Sequence, residues 1–132
     1  MALRGKVLVV DDDALVLRMT QMRLEKAGFA VITREHAIGT MQAINAEQPD
    51  VVVLDIRMPA LTGPMLADLI NRNARVGSVP VIFHSSENLS SLQIAAQQSG
   101  AIGAIAKTAD DSLFLAQFER LYDRAKRKAK PQ

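Results

Sequence analysis

Val51-Val52-Val53-Leu54-Asp55 is an unbroken apolar run that ends in a carboxylate. Such a run suits a strand buried on both faces, and it delivers one acidic group to the rim of a sheet. A second run, Lys6-Val7-Leu8-Val9-Val10, ends in Asp11-Asp12-Asp13. Two strands therefore place several carboxylates at the same kind of strand end, which in open α/β sheets is the binding edge. Asp55 is where the chemistry is expected.

Outward from these two runs, short apolar stretches alternate with longer segments of helical spacing, five rounds in all. After the first strand, about Lys6 to Val10, a helix is predicted over Ala14 to Lys26. Leu15, Met19 and Met22 recur there at i, i+4, i+7 and are expected inward, and Gly28 supplies a left-handed stop. Ala30 to Thr33 is a weaker strand. It leads to a helix over Ala37 to Glu47 with Met41 and Ile44 inward, which Pro49 prevents from continuing. Val51 to Leu54 is the third strand. Pro64 then suits the first turn of a helix expected over Met65 to Asn73. Val79 to His84 is the fourth strand, Leu89 to Ser99 the fourth helix, closed by Gly100, and Ile102 to Ala106 the fifth strand. The last helix starts near its N-cap Asp110, buries Phe114, Phe118, Leu121 and Tyr122, and frays into a basic tail. Strands alternating with helices imply parallel pairing through right-handed crossovers. The expected fold is a doubly wound, flavodoxin-like α/β domain: a five-stranded parallel sheet of order 2-1-3-4-5 with five helices. In that order strands 1 and 3 are neighbours at the topological switch point, so Asp11, Asp12 and Asp55 converge.

Composition narrows the function classes. The 132 residues fit one domain, and 48% hydrophobic content supplies one core. We divide the chain into a domain over residues 1–125 and a basic tail over 126–132. No apolar run of membrane-spanning length is present, and Met1-Ala2-Leu3-Arg4 does not open a signal peptide. Cysteine is absent, which excludes thiolate metal sites and disulfides and fits a reducing cytoplasm. From Glu119 onward six cations face two anions, which puts +4 there and leaves residues 1–118 at −2 of the chain's +2. The tail is read as a solvated helix end whose cations complement the dipole, or as the start of a connector to an output domain. Direct nucleic-acid binding is disfavoured, since Tyr122 is the only nearby stacking residue.

Three carboxylates within several ångströms repel one another and call for raised pKa values or a bound cation. All-oxygen ligation with open positions suits Mg²⁺, with Mn²⁺ as a substitute, and a backbone carbonyl near Arg57 completes the protein share. Ser85 and Lys107 end the fourth and fifth strands on the same rim. Both are phosphate-binding groups, a hydroxyl donor and a flexible ammonium. With the metal they would stabilise a transferring phosphoryl group while Asp55 acts as nucleophile.

Over Lys6 to Tyr122 the sequence resembles the receiver (CheY-like) domain of bacterial two-component response regulators. Val9-Val10-Asp11-Asp12-Asp13 is similar to that family's acidic strand end, and Asp55-Ile56-Arg57-Met58-Pro59 with Gly63 to its phosphoacceptor strand and loop. Pro80-Val81-Ile82-Phe83-His84-Ser85-Ser86 resembles the fourth-strand segment, and Gly100-Ala101 precedes Lys107 at the family's spacing. The resemblance implies that Asp55 takes a phosphoryl group from a phosphohistidine on a histidine kinase or histidine phosphotransfer protein, in the bacterial cytoplasm. It implies that Asp11, Asp12 and Asp55 hold Mg²⁺, that Ser85 and Lys107 contact the phosphoryl group, and that the helix 4, strand 5, helix 5 face changes in response. That face would signal to an output protein or a linked output domain. It is also where such domains dimerise, although Gln93, Gln97 and Gln98 form no decisive patch. Turnover would be limited to self-catalysed transfer and slow autodephosphorylation. Arg57 and Glu87 occupy the positions that tune acyl-phosphate lifetime, and a pair between them is expected to form a partial lid.

Three residues depart from the pattern. Ala104 stands where the family has an aromatic switch residue, Thr108 follows Lys107 where proline is common, and His84 precedes Ser85 where an apolar residue is usual. His84 is read as a core or surface histidine rather than a catalytic one. The alternative function is a phosphorylation-independent pseudo-receiver that acts by binding alone. A flavin carrier would need a hydroxyl-rich phosphate loop in place of three aspartates, and an aspartyl phosphatase a second acid where Arg57 stands.

Overall fold

The computed structural model describes residues 3–59, 62–72, 79–86 and 88–129. Five strands, β1 (Lys6–Val10), β2 (Ala30–Arg34), β3 (Val51–Asp55), β4 (Val81–Ser85) and β5 (Gly103–Ala106), form one parallel sheet of order β2-β1-β3-β4-β5. Five helices alternate with them: α1 (Ala14–Lys26), α2 (Thr40–Glu47), α3 (Gly63–Arg72), α4 (Leu89–Ser99) and α5 (Asp111–Ala129). The expected fold is the observed one.

Side-chain alternation along the central strands divides the core into two layers. Val7, Val9, Val51, Val53, Ile82 and Ile105 pack with Leu17 and Leu24 of α1 and with Phe114, Phe118, Leu121 and Tyr122 of α5. Leu8, Val10, Val52, Leu54, Val81 and Phe83 face α2, α3 and α4, where Ile44, Leu66, Ile70 and Ala96 close the second layer. Phe29 meets Phe118 and Tyr122 edge to face at 5.3 and 4.9 Å, and the Tyr122 hydroxyl donates to the Arg4 carbonyl at 3.0 Å. The buried tyrosine thereby keeps its polar end satisfied.

The inward face of α1 is not the expected one. Leu15, Met19 and Met22 are 68%, 38% and 57% exposed, and Leu17, Thr20, Arg23 and Leu24 are the buried residues. At about 100° per residue these two stripes lie on nearly opposite sides of the helix. Asp13 sets the orientation: its carboxylate caps the helix by accepting from the N–H groups of Leu15 and Val16. The chain enters from β1 with Leu17 against the sheet.

Helix α2 starts at Thr40 and not at Ala37. Gly39 has φ +94°, a left-handed conformation that interrupts the helix, and Thr40 turns back to the Ala37 carbonyl through both its N–H and its hydroxyl. β4 starts at Val81 and not at Val79, because Pro80 has no N–H to give and serves the ladder only by its carbonyl, which accepts from Val52. Helix α3 starts at Gly63, with Thr62 accepting from the Met65 N–H, and ends at Arg72; Asn73 lies outside the described residues. Helix α5 runs into the first residues of the tail. It continues to Ala129, and two of its late cations engage the fold, Lys126 with Asp50 at 3.1 Å and Arg124 with the Ile102 carbonyl at 3.3 Å.

Candidate functional site

Parallel strands all point their carboxyl ends at one rim, so the residues that follow β1, β3, β4 and β5 meet there. Asp11, Asp12 and Asp55 each offer an oxygen, and these oxygens lie within 4.8 Å of one another. Asp11 and Asp55 are buried, whereas Asp12 is exposed. The Asp11 carboxylate is fixed by the Asp13 N–H at 2.9 Å, and that of Asp55 accepts from the Arg57 N–H at 3.3 Å. Lys107 reaches across the sheet end, with Nζ 3.0 Å from Asp11 Oδ2 and 3.6 Å from Asp55 Oδ2. Its main-chain N–H donates to the Ser85 carbonyl at 2.8 Å, which ties the ends of β4 and β5 together. Ser85 itself is buried at the end of β4.

The electrostatics follow from this crowding. Burial, then the neighbouring charge of Asp11, push the Asp55 carboxyl up to about 6, against the lowering pull of Lys107 and of the Arg57 N–H. One lysine does not neutralise three carboxylates. The donor set is all oxygen, and two of its members are buried. These residues fit a hard divalent cation such as Mg²⁺.

Gly63 shapes the other side of the rim. Its N–H donates to the Ile56 carbonyl at 2.9 Å, and a Cβ there would meet the Asp55 carbonyl oxygen at 2.5 Å and Ile56 Cα at 2.9 Å. Only a residue without a side chain lets the start of α3 pass this close to the end of β3. Arg57 is exposed in that loop. Glu87, its expected lid partner, lies outside the described residues. Ala104 pairs with Phe83 across the β4–β5 ladder and packs with the α2, α3, α4 layer, contributing only a methyl group there. No cis peptide occurs among the described residues.

Residues 7–119 match the response regulator receiver domain family. This chain belongs to that family. Its receiver sequence is 33% identical over 117 residues to the DNA-binding transcriptional regulator NtrC of Proteus hauseri, covering 89% of this chain and 24% of the relative. It is 31% identical over 124 residues to the transcriptional regulatory protein CseB of Streptomyces avermitilis, covering 94% and 52%. The chain thus spans between a quarter and about half the length of these curated relatives. Protein PilH of Pseudomonas aeruginosa is 27% identical over 111 residues, with 84% and 92% covered. Among solved structures, chemotaxis response regulator CheY4 of Vibrio cholerae shares the receiver fold with a TM-score of 0.80 at 24% identity, over 92% of this chain and 98% of the other. NtrX of Brucella abortus superposes with a TM-score of 0.83 at 28% identity, over 97% and 28%. Receivers are generally signalling phosphoacceptors rather than true enzymes, and histidine kinases are their partners. The acidic pocket of Asp11, Asp12 and Asp55 is consistent with a receiver Mg²⁺ site. No helix among the described residues is long and apolar enough to cross a membrane.

Two polar residues on the α1 and α5 side of the sheet were not singled out as a group by the sequence. Arg23 is buried inside α1, with Nε donating to Asp111 at 2.6 Å and its guanidinium 5.4 Å from the Phe114 ring. His84 is buried edge-on to the same ring at 5.3 Å, which settles its alternatives in favour of the core. The legible signal was an arginine between Met22 and Leu24 on a helix that must cover a sheet.

Proposed function

We propose that this receiver accepts a phosphoryl group on Asp55 from a phosphohistidine of a histidine kinase or histidine phosphotransfer protein. The observation that carries the reading is the convergence of Asp11, Asp12 and Asp55 within 4.8 Å, with Lys107 bridging Asp11 and Asp55. In the transfer, a carboxylate oxygen of Asp55 attacks phosphorus, the bond from phosphorus to the donor imidazole nitrogen breaks, and an acyl phosphate forms. Asp11, Asp12, Asp55 and the Arg57 carbonyl would hold Mg²⁺ or Mn²⁺, which supplies charge neutralisation for the carboxylates and the phosphoryl oxygens. Lys107 leaves Asp11 and Asp55 for a phosphoryl oxygen, and the Ser85 hydroxyl donates to another. Arg57 and Glu87 control the access of water to the acyl phosphate.

The output follows from the backbone tie between Lys107 and Ser85. Movement of either residue is carried along β4 and β5 toward the α4, β5, α5 face, shifting a population between two states of that face. With Ala104 in the ladder, no ring at that position reports the shift, so the β5–α5 loop after Lys107 is the route we assign. An output protein or a linked output domain reads that face, a homodimer forms through it, and the setting is the bacterial cytoplasm. We take residues 1–125 as the receiver body and residues 126–132 as a basic tail, whose first residues, up to Ala129, continue α5.

Intact-protein mass spectrometry after incubation with a small-molecule phosphodonor tests the reading. Uptake of one phosphoryl group that requires both Mg²⁺ and Asp55, and is absent in Asp55→Asn, is the expected result. No uptake under any condition would make the chain a pseudo-receiver that works by binding alone.

A further inference from the structure

A cavity of about 270 Å³ lies between α1 and the β5–α5 loop, on the side of the sheet that faces α5. Val16 and Met19 line it with apolar surface, and Arg23, His84 and Lys107 line it with nitrogen. Arg23 and His84 are only 6% and 2% exposed, and Arg23 Nη2 and His84 Nε2 are buried with no hydrogen-bond partner among the described residues. The Arg23 guanidinium is held in place from behind by Asp111, which uses Nε and leaves Nη2 unpaired. Lys107 at the far wall is already engaged by Asp11 and Asp55. Burial, with Lys107 and Arg23 nearby, pushes the His84 imidazole down to about 3, so it is neutral and one of its nitrogens donates.

The chemistry of this lining is specific. It holds two cations and a neutral imidazole, with no carboxylate among its described residues. A buried guanidinium nitrogen and an imidazole N–H are donors suited to one carboxylate. The side chains of Val16 and Met19 are suited to the apolar part of the same molecule. A cavity of roughly 150 Å³ accommodates a benzene ring, so this one has room for a ring together with its carboxylate.

We propose that this cavity binds a small monocarboxylate with an apolar body, its carboxylate on Arg23 Nη2 and His84 Nε2 and its body against Val16 and Met19. The site adjoins the phosphoacceptor rim through Lys107, which lines the cavity and reaches Asp11 and Asp55. Weak binding is expected, with Kd on the order of 1 mM for a ligand of this size.

Methyl-detected NMR of the full, metal-free chain tests this, with benzoate, benzamide and inorganic phosphate as probes. Benzoate is expected to shift the Met19 and Val16 methyl resonances saturably, and benzamide, of the same shape without the charge, to bind at least about tenfold more weakly. Arg23→Met should weaken benzoate by a similar factor while methyl signals of the α2, α3, α4 layer stay in place. The comparison of benzoate with benzamide needs no variant and stands if Arg23→Met fails to fold. Equal shifts from benzoate and benzamide, equal affinity in Arg23→Met, equally strong shifts from phosphate, or no shift well above 1 mM would each overturn the proposal.

Discussion

Replacing Asp55 by asparagine should make the metal-free protein more stable at neutral pH. The native carboxyl titrates at about 6 against an ordinary 3.8, chiefly because it is buried and beside Asp11. The raised value means that the folded state disfavours the ionised form. At about 1.36 kcal/mol per pKa unit the penalty has a ceiling of about 3 kcal/mol. Water at the rim, where Asp12 is exposed, screens the repulsion, and we take about half, about 1.5 kcal/mol. For a domain of this size that corresponds to a rise in Tm of about 6 °C for Asp55→Asn in EDTA at pH 7.5. The sign with pH is fixed by linkage. Between 3.8 and about 6 the folded wild type binds more protons than the unfolded chain, so this group's contribution becomes less unfavourable as pH falls. The advantage of the variant should therefore be full above pH 7, shrink through 6, and vanish near 4. Added Mg²⁺ should narrow the gap by stabilising the wild type, by about 1.4 kcal/mol at tenfold excess over Kd, and the variant by less. Thermal unfolding followed by circular dichroism across this pH series measures all of it. An advantage that stays flat from pH 8 to 4.5, or none in EDTA at pH 7.5, would refute the electrostatic account of the rim.

Lys107→Ala removes the charge that lowers the Asp55 pKa, so the Asp55 carboxyl should titrate above 6 by carbon-detected NMR, and phosphoryl uptake should slow. Gly63→Ala puts a methyl group 2.5 Å from the Asp55 carbonyl oxygen and should cost about 1–3 kcal/mol in urea unfolding, with slowed uptake at Asp55. Asp111→Asn leaves the buried Arg23 charge without its partner and should cost about 1–2 kcal/mol, a loss that Arg23→Met in the same chain should largely restore in a double-mutant cycle. Leu17→Ala should cost about 2–5 kcal/mol, whereas Met22→Ser should stay within about 0.5 kcal/mol, the reverse of the order that helical periodicity predicts.

Sequence alone determined the alternation of strand and helix, the strand order, and the meeting of Asp11, Asp12 and Asp55. It could do so because uninterrupted apolar runs must be buried on both faces, and parallel strands bring their carboxyl ends to one rim. Lys107 and Ser85 were legible for the same reason, each standing just at the end of such a run. Tertiary structure alone decided which face of α1 turns inward. That helix carries apolar residues on two sides, and periodicity cannot choose between them until the Asp13 cap and the packing of α5 fix its rotation. The same rotation carries Arg23 inward to Asp111, Phe114 and the cavity beside His84, a juxtaposition of residues 23, 84 and 111 that only packing creates. The reach of Lys107 Nζ to both Asp11 and Asp55 was likewise beyond the sequence, because a lysine's position on a strand end does not say which carboxylate its flexible stem will meet.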